Sequence, residues 1–341
     1  MSSYFGLDFG SSSLKAAQVA LAGPKSFAVT SLGLVQNPVG SVDFKDKTVA
    51  EKLLPAVKQL LKEAGIKDRR AVVSIPESKV FSRIITMPSM SDAELASAVN
   101  WEAEQFVPIP VSEVEIDYSV VKRPPKGVTN EPMLVYLVAA PKKYLQALVD
   151  FLVLIGIEPV AVESEMVAVA RAFSFGAPPG SSLLVHIGAL STVMAIVEGD
   201  ALMFSYVMET GGVAMTRALS QSLSLPIMQA EEYKRTYGLD SGQLEGKVKE
   251  GLVVVLQSVV AEMRKAIEFH ATENKSRVNR IVISGGGAYL PALSTYLGET
   301  FAGLEVVIGD PFTYAKAAHG VKIPEARAVY SVAVGLSQRV F

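Results

Sequence analysis

The chain writes one supersecondary pattern twice, and that repetition limits its fold more than any other feature. Tyr4–Leu7, Leu14–Ala20 and Phe27–Val35 read as three strands, punctuated by Gly10 and by Gly23-Pro24. The order returns at Leu183: strand Leu183–Ile187, a Gly turn over 188–192, strand Val193–Val197, a Gly199-Asp200 turn and strand Ala201–Tyr206. Two meanders of the same design predict a duplicated α/β fold whose halves are related by a pseudo-twofold. The first is followed by an amphipathic helix over 48–65, with Leu53, Val57 and Leu60 at helical spacing, and by strands at Ala71–Ile75 and Val80–Thr86. The second is followed by helices from Gly212 to His270 and by strand Arg280–Ser284. A helix starting near Pro291, strand Val306–Ile308 and a closing helix Arg327–Gln338 complete it.

Between the copies the texture changes. Met87-Pro88 breaks a strand, and Ser91 with Glu94 makes a capping box for a helix to Phe106. Strand Val114–Val121, a Pro- and Gly-rich loop over 122–132, strand Met133–Ala140 and helix Lys142–Ile155 follow. This αββα block, 88–157, reads as an inserted subdomain. The chain then resumes with strand Glu158–Val162 and helix Met166–Ser174, and Pro178-Pro179-Gly180 reads as a linker.

Composition narrows the function classes. Half of the 341 residues are hydrophobic and 19% are charged, enough apolar material for a large core. The net charge of −2 and the lack of any nucleic-acid motif argue against nucleic acid as a partner. With no cysteine there are no disulfides and no thiolate metal sites, which fits a reducing compartment. No basic and apolar leader opens the sequence, and its longest apolar stretch, Leu148–Ile157, is broken by Asp150 and far short of a membrane span.

Four segments can carry chemistry. In the first meander, the turn Asp8-Phe9-Gly10-Ser11-Ser12-Ser13-Leu14-Lys15 offers nearly bare backbone N–H groups to an anion. Asp8 can hold a hydrated Mg²⁺, and Lys15 adds a point charge for a phosphate. Alone, it is equally a tight hairpin with a solvated Asp and Lys. His186-Ile187-Gly188-Ala189-Leu190-Ser191-Thr192 is the matching turn of the second meander. Gly285-Gly286-Gly287, between a strand and a helix, lets backbone approach a flat ring or a phosphate, or simply makes a tight βα turn. Glu231, Lys234 and Arg235 share one helix. Glu231 and Lys234 lie one turn apart, where they reach a ribose and base or form a solvated ion-pair face.

In this order the four resemble the nucleotide motifs of the actin-like ATPase superfamily, which includes actin, the Hsp70 nucleotide domain and sugar kinases. The resemblance implies an actin-like, ribonuclease H-like duplicated fold of two lobes, with ATP or ADP and Mg²⁺ between them. Asp8, Gly10, Ser11, Ser12, Ser13 and Lys15 fall on the first phosphate motif, with Asp8 toward the metal. Gly188, Ser191 and Thr192 fall on the second phosphate motif. Gly285, Gly286 and Gly287 fall on the adenosine loop, and Glu231, Lys234 and Arg235 on the adenosine-contacting helix. The implied division is 1–87 with 158–178 for the first lobe, 88–157 for the insert, 179–211 with 279–341 for the second lobe, and 212–278 for a helical subdomain. One position departs: the second phosphate motif ordinarily opens with an acid, and here it is His186. Imidazole is a poor substitute at a hard cation, so ATPase activity is expected to be weak or absent.

The insert narrows the resemblance. Phe5-Gly6-Leu7-Asp8 with the Ser triplet, Met87-Pro88, Glu94-Leu95, the run Trp101 to Pro108, Asp117-Tyr118 and Asp310-Pro311-Phe312 are similar to the PilM family of type IV pilus assembly proteins. That family implies a cytoplasmic ATP-binding scaffold, peripheral to the inner membrane through its partners. It holds the N-terminal cytoplasmic peptide of a PilN-like protein, contacts other platform proteins and is compatible with homo-oligomers. The expected groove lies between the helix at 91–106 and the first lobe, with Trp101 and Phe106 either lining it or packing inside the insert. Two alternatives stay open. A small-molecule kinase of the superfamily needs a base, and no second Asp stands out near either turn. An FtsA-like filament protein carries a C-terminal amphipathic helix not evident at Gln338–Phe341.

Overall fold

The computed structural model describes residues 4–23, 26–125, 131–174, 179–199 and 201–341. Pro24, residues 126–130, Pro178 and Asp200 of the expected turns and loops lie outside these. The first meander is β1 (Phe5–Phe9), β2 (Ser13–Gly23) and β3 (Ser26–Gln36), with β1 buried along its whole length. Helix α1 (Lys47–Glu63) starts where the Asp46 carboxylate accepts the Thr48 N–H, and it buries Leu53, Val57 and Leu60. The chain returns as β4 (Arg70–Ile75), parallel to β1, and later as β8 (Glu158–Ser164), parallel to β4.

The second meander is β9 (Ser181–Ile187), β10 (Thr192–Glu198) and β11 (Ala201–Met208). Here β12 (Val278–Ser284) runs parallel to β9, and β13 (Glu305–Ile308) parallel to β12. The sheet orders are β14-β3-β2-β1-β4-β8 and β11-β10-β9-β12-β13. Apart from the added β14 (Ala315–Ala317), both therefore read third, second, first, fourth, fifth. The duplication expected from the two meanders extends to the whole sheet.

A third sheet, β5-β7-β6, is built from β5 (Phe81–Met87), β6 (Val114–Lys122) and β7 (Met133–Pro141). Against it α2 (Asp92–Phe106) lays Leu95, Val99 and Ala103, and its N-terminus carries the expected Ser91–Glu94 capping box. This corrects the expected insert of 88–157 at both ends. β5 pairs with β7 along its full length, from Phe81 opposite Ala139 to Met87 opposite Met133, so the sheet begins before Pro88. Helix α3 (Lys142–Leu154) leaves the insert: Tyr144, Leu148, Phe151 and Leu152 are buried with Phe9 and Phe44 in the first lobe.

The connecting helices tie the lobes together. α4 (Glu165–Ser174) follows the first sheet but also packs on β10 and β11. A 3-10 turn at Arg327–Tyr330 and then α9 (Ser331–Ser337) replace the single closing helix expected over 327–338. α9 follows the second sheet yet packs on β1, β2 and β4. The two helices cross at Gly335, where a Cβ would sit 1.9 Å from the Ala168 carbonyl oxygen. Val332, Val334 and Leu336 of α9 are buried, each contributing roughly 1.5–3 kcal/mol. Arg171 of α4 forks onto Glu163 at 2.8 and 3.0 Å and reaches the Gly335 carbonyl at 2.7 Å, and Arg339 joins Glu163 from the other side.

The helical block is α5 (Gly212–Leu223), α6 (Ile227–Tyr237) and α7 (Lys247–Glu273), packed on the second sheet. α8 spans Leu293–Thr300, and the expected start near Pro291 is displaced. Ala292 takes a left-handed conformation (φ 60°) before the helix, and the Pro291 carbonyl is spent on the Leu239 N–H.

Candidate functional site

The turn after β1 is held from three sides. Antiparallel register places Lys15 opposite Asp8, and Lys15 Nζ lies 2.9 Å from Asp8 Oδ2. Ser74, on β4, donates its hydroxyl to Asp8 Oδ1 at 3.1 Å and accepts the Phe9 N–H at 3.4 Å. Asn37 Nδ2 bridges the Gly10 and Gly40 carbonyls at 2.9 and 2.8 Å. A Cβ on Gly10 would stand 2.9 Å from both Lys15 Nζ and the Ser13 oxygen, so only glycine fits. Asp8 and Lys15 are buried, while Ser11, Ser12 and Ser13 stand at the opening.

The matching turn is built differently. The Gly188 N–H bonds the Ser191 carbonyl at 2.8 Å. The first N–H groups of α5 grip this turn from behind: Gly212 on the Gly188 oxygen at 3.0 Å and Val213 on the Ala189 oxygen at 2.9 Å. Thr192, expected at a phosphate, is fully buried and gives its hydroxyl to the Thr210 carbonyl at 2.7 Å. Ser191 stays partly open. His186 pairs through Nδ1 with Ser284 Oγ at 2.9 Å. Burial pushes the imidazole down to about 4, with Asp8 opposing and Lys15 adding to the shift, so it is neutral at physiological pH. Asp8 and Lys15 of the first turn thus lie close enough for their charges to bear on His186.

Of the three glycines after β12, two answer to packing. A Cβ on Gly285 (φ +78°) would lie 2.5 Å from the Ile187 oxygen, and one on Gly287 2.2 Å from Ile187 Cγ2. On Gly286 it would meet nothing within 4 Å, so this is where bare backbone faces open space. The residues expected on the adenosine-contacting helix form an internal network. Lys234 spends three donors, on the Gly212 carbonyl (3.0 Å), Thr216 Oγ1 (2.8 Å) and Glu231 Oε2 (2.6 Å). Glu231 also takes the Thr216 hydroxyl and, at 2.7 Å, Arg235 Nε. Burial would raise the Glu231 carboxyl, but Lys234 and Thr216 outweigh it and hold it at about 2. Lys234 thus braces the α5 terminus that grips Gly188, and of the three Arg235 is the most exposed.

Reading the sequence missed Ser74, Asn37, Glu77 and Glu165. Glu165, in the first turn of α4, is partly buried; burial and the charge of Asp8 raise its carboxyl to about 8. Its Oε2 accepts the Glu77 N–H at 3.3 Å. An acid directly after a strand and at the start of a helix was the available signal, but its closeness to Asp8 is tertiary.

Among the described residues no group of three or more His, Cys, Asp or Glu side chains could hold a metal ion. The expected Mg²⁺ therefore has no protein-only cage. The donor set suits an ion that keeps most of its water and arrives with a phosphate, using Asp8 alone from this chain. Chemically, the site can bind an anion between the Gly10–Ser13 backbone with Lys15 and the Gly188–Ser191 backbone. It offers no ionised base on the second turn.

A PilM–PilN type IV pilus biogenesis complex matches at 26% identity and a TM-score of 0.84, over 98% of this chain and 97% of that one. The ethanolamine utilization protein EutJ of Carboxydothermus hydrogenoformans matches at 16% identity and TM-score 0.58, covering 99% and 90% of the two chains. MreB 5 of Spiroplasma citri bound to AMPPNP matches at 13% and 0.53, covering 98% and 94%; both of these establish the actin-like fold alone. The family model for the type IV pilus assembly protein PilM matches residues 6–341, and the chain belongs to that family.

Proposed function

We propose that this chain is a nucleotide-holding scaffold of the type IV pilus assembly platform, on the cytoplasmic side, and that it binds the cytoplasmic N-terminal segment of a PilN protein. Family membership sets the pilus context and does not favour the kinase and filament readings. The observation that carries the scaffold reading is the inequality of the two turns. One holds a buried Asp8–Lys15 pair suited to a phosphate and a hydrated Mg²⁺; the other faces it with a neutral His186. Mg²⁺, when bound, would neutralise phosphate charge beside Asp8. Lys15, the Ser triplet backbone and Ser191 orient the phosphates, and Gly286 lets the base lie against backbone.

A second feature supports the partner. From Ile84 to Val121 the insert carries seven acidic residues and no Lys or Arg; six of the seven are exposed, and of these Asp92 is paired with Arg123 just beyond. Cytoplasmic segments beside a membrane span are enriched in Lys and Arg, so this surface is complementary to a short juxtamembrane peptide. Trp101 stands 63% exposed on α2, whereas Phe106 packs against the insert core. No helix of the described residues is long and apolar enough to cross a membrane, so in this reading attachment runs through the partner. The test is calorimetry with Mg·ATP and, separately, with a synthetic peptide of the PilN N-terminal segment. One-to-one binding of both is expected. If neither binds, the reading fails; phosphate transfer to a sugar or carboxylate would restore the kinase.

A further inference from the structure

Glu77 lies at a four-way junction. It sits in the 3-10 turn Glu77–Lys79 between β4 of the first sheet and β5 of the insert, and it is only 3% exposed. Its two carboxylate oxygens serve different elements. Oε2 accepts the Met166 N–H at the start of α4 at 3.4 Å, and Oε1 accepts the Ser82 hydroxyl of β5 at 3.1 Å. Its own N–H goes to Glu165, which feels the charge of Asp8. Ser82 in turn meets Ser205 of β11, in the second lobe, at 3.2 Å between hydroxyl oxygens. One buried residue thus joins the nucleotide side through its backbone N–H, and a connecting helix and the insert through its side chain, with Ser82 leading on to the second lobe.

Tyr136 of β7 is 6% exposed, and its hydroxyl makes no hydrogen bond of good geometry. Burial and then the charge of Glu77 push it up, while the neighbouring hydroxyls of Ser164 and Ser82 pull it down. This hydroxyl on the insert is an alternative partner for Glu77 when α4 shifts, since a buried carboxyl group keeps its hydrogen bonds.

We propose that Glu77 is a positioning residue that couples nucleotide at the Asp8 turn to peptide binding at the insert, by exchanging its α4 and Ser82 bonds for Tyr136. The inference rests on the functional reading above and specifies how that site is regulated. The experiment measures the Kd of the PilN N-terminal peptide with and without saturating Mg·AMPPNP, for the wild type, Glu77→Gln and Tyr136→Phe. In the wild type the two values should differ by about fivefold or more, a typical coupling. Gln has one acceptor oxygen where Glu has two, and Phe removes the alternative partner. Each variant should bring the ratio to within about twofold of unity while its nucleotide-free Kd stays within about twofold of the wild type. A merely structural role would move the Kd itself and leave the ratio intact. Two ligands that bind the wild type with a ratio of one, or variants that keep the wild-type ratio, overturn the coupling alone. A wild type that binds neither ligand overturns the functional reading and the coupling with it, and the wild-type titrations reveal this first.

Discussion

The two meanders share a backbone plan and differ in what their turns do with polar groups. In the first, charge is gathered at the cleft: Asp8 and Lys15 pair in a buried position, and Glu165 stands near them. In the second, polarity is consumed by architecture. Thr192 is spent on Thr210, the Gly188 and Ala189 carbonyls on the start of α5, and Lys234 on bracing that start. Strand order and register can thus be duplicated while the chemistry goes to one copy. In the function proposed above, the second turn is a shaped wall and the first the charged face.

The comparison breaks most severely at Lys15. Lys15→Met leaves Asp8 buried without its counterion and should cost about 3–5 kcal/mol of stability in urea titrations. It should also weaken Mg·ATP binding by roughly 10- to 100-fold in calorimetry. An unchanged affinity would mean that the charged face is not the phosphate face.

Restoring the acid on the wall is the converse. His186→Asp should raise Mg²⁺-dependent ATP hydrolysis by about 100-fold or more over the wild type in a phosphate-release assay. A rate equal to that of the wild type would show that the imidazole does not limit the chemistry.

The two sides also differ in their response to pH. The folded-state value of Glu165 is raised to about 8, so its contribution is fully present below about 4.5 and is lost as pH rises through 8. That of His186 is lowered to about 4, so its contribution is present above about 6.5 and is lost as pH falls toward 4. Glu165→Gln should therefore flatten the alkaline side of the stability profile, and His186→Gln the acid side, each by on the order of 1–3 kcal/mol in chemical denaturation. If both variants flatten the same limb, the contrast between the sides fails.

The smallest effect separates shape from contact in the Gly triplet. Gly286→Ala should leave stability within about 0.5 kcal/mol, because its methyl group meets open space, and should cost a few-fold in nucleotide affinity. Gly287→Ala drives a methyl group onto Ile187 and should lower stability by about 1–3 kcal/mol. Equal losses of stability would place Gly286 in the packing as well.

What could be read from the residues follows from how local each signal is. The meanders were legible because buried runs such as Phe5–Phe9 are cut by turn residues that leave no other conformation. The Ser91–Glu94 box was legible because its partners are three residues apart. The Glu231–Lys234 pair was expected from its spacing, but Gly212 and Thr216, which take up the rest of Lys234, belong to another helix. The limits of the insert were hidden for the same reason: Pro88 marks a local break, while the ladder from β5 to β7 spans some fifty residues. Ser74, Glu77 and Glu165 gain their meaning only when three strands and a helix converge beside Asp8.

The crossing of α4 and α9 bears on how the molecule comes apart. Each helix sits partly in the lobe that its neighbours in sequence do not form, and one apolar cluster mixes Val72, Met166, Leu184 and Leu336. Neither lobe has a finished interior by itself. A fragment ending at the linker would lack α9 beneath its sheet, and a fragment starting there would lack α4. The two lobes are therefore separate in outline but not in folding. Heating should melt them in one transition, and motion between them must be a rocking of halves that already hold a piece of each other.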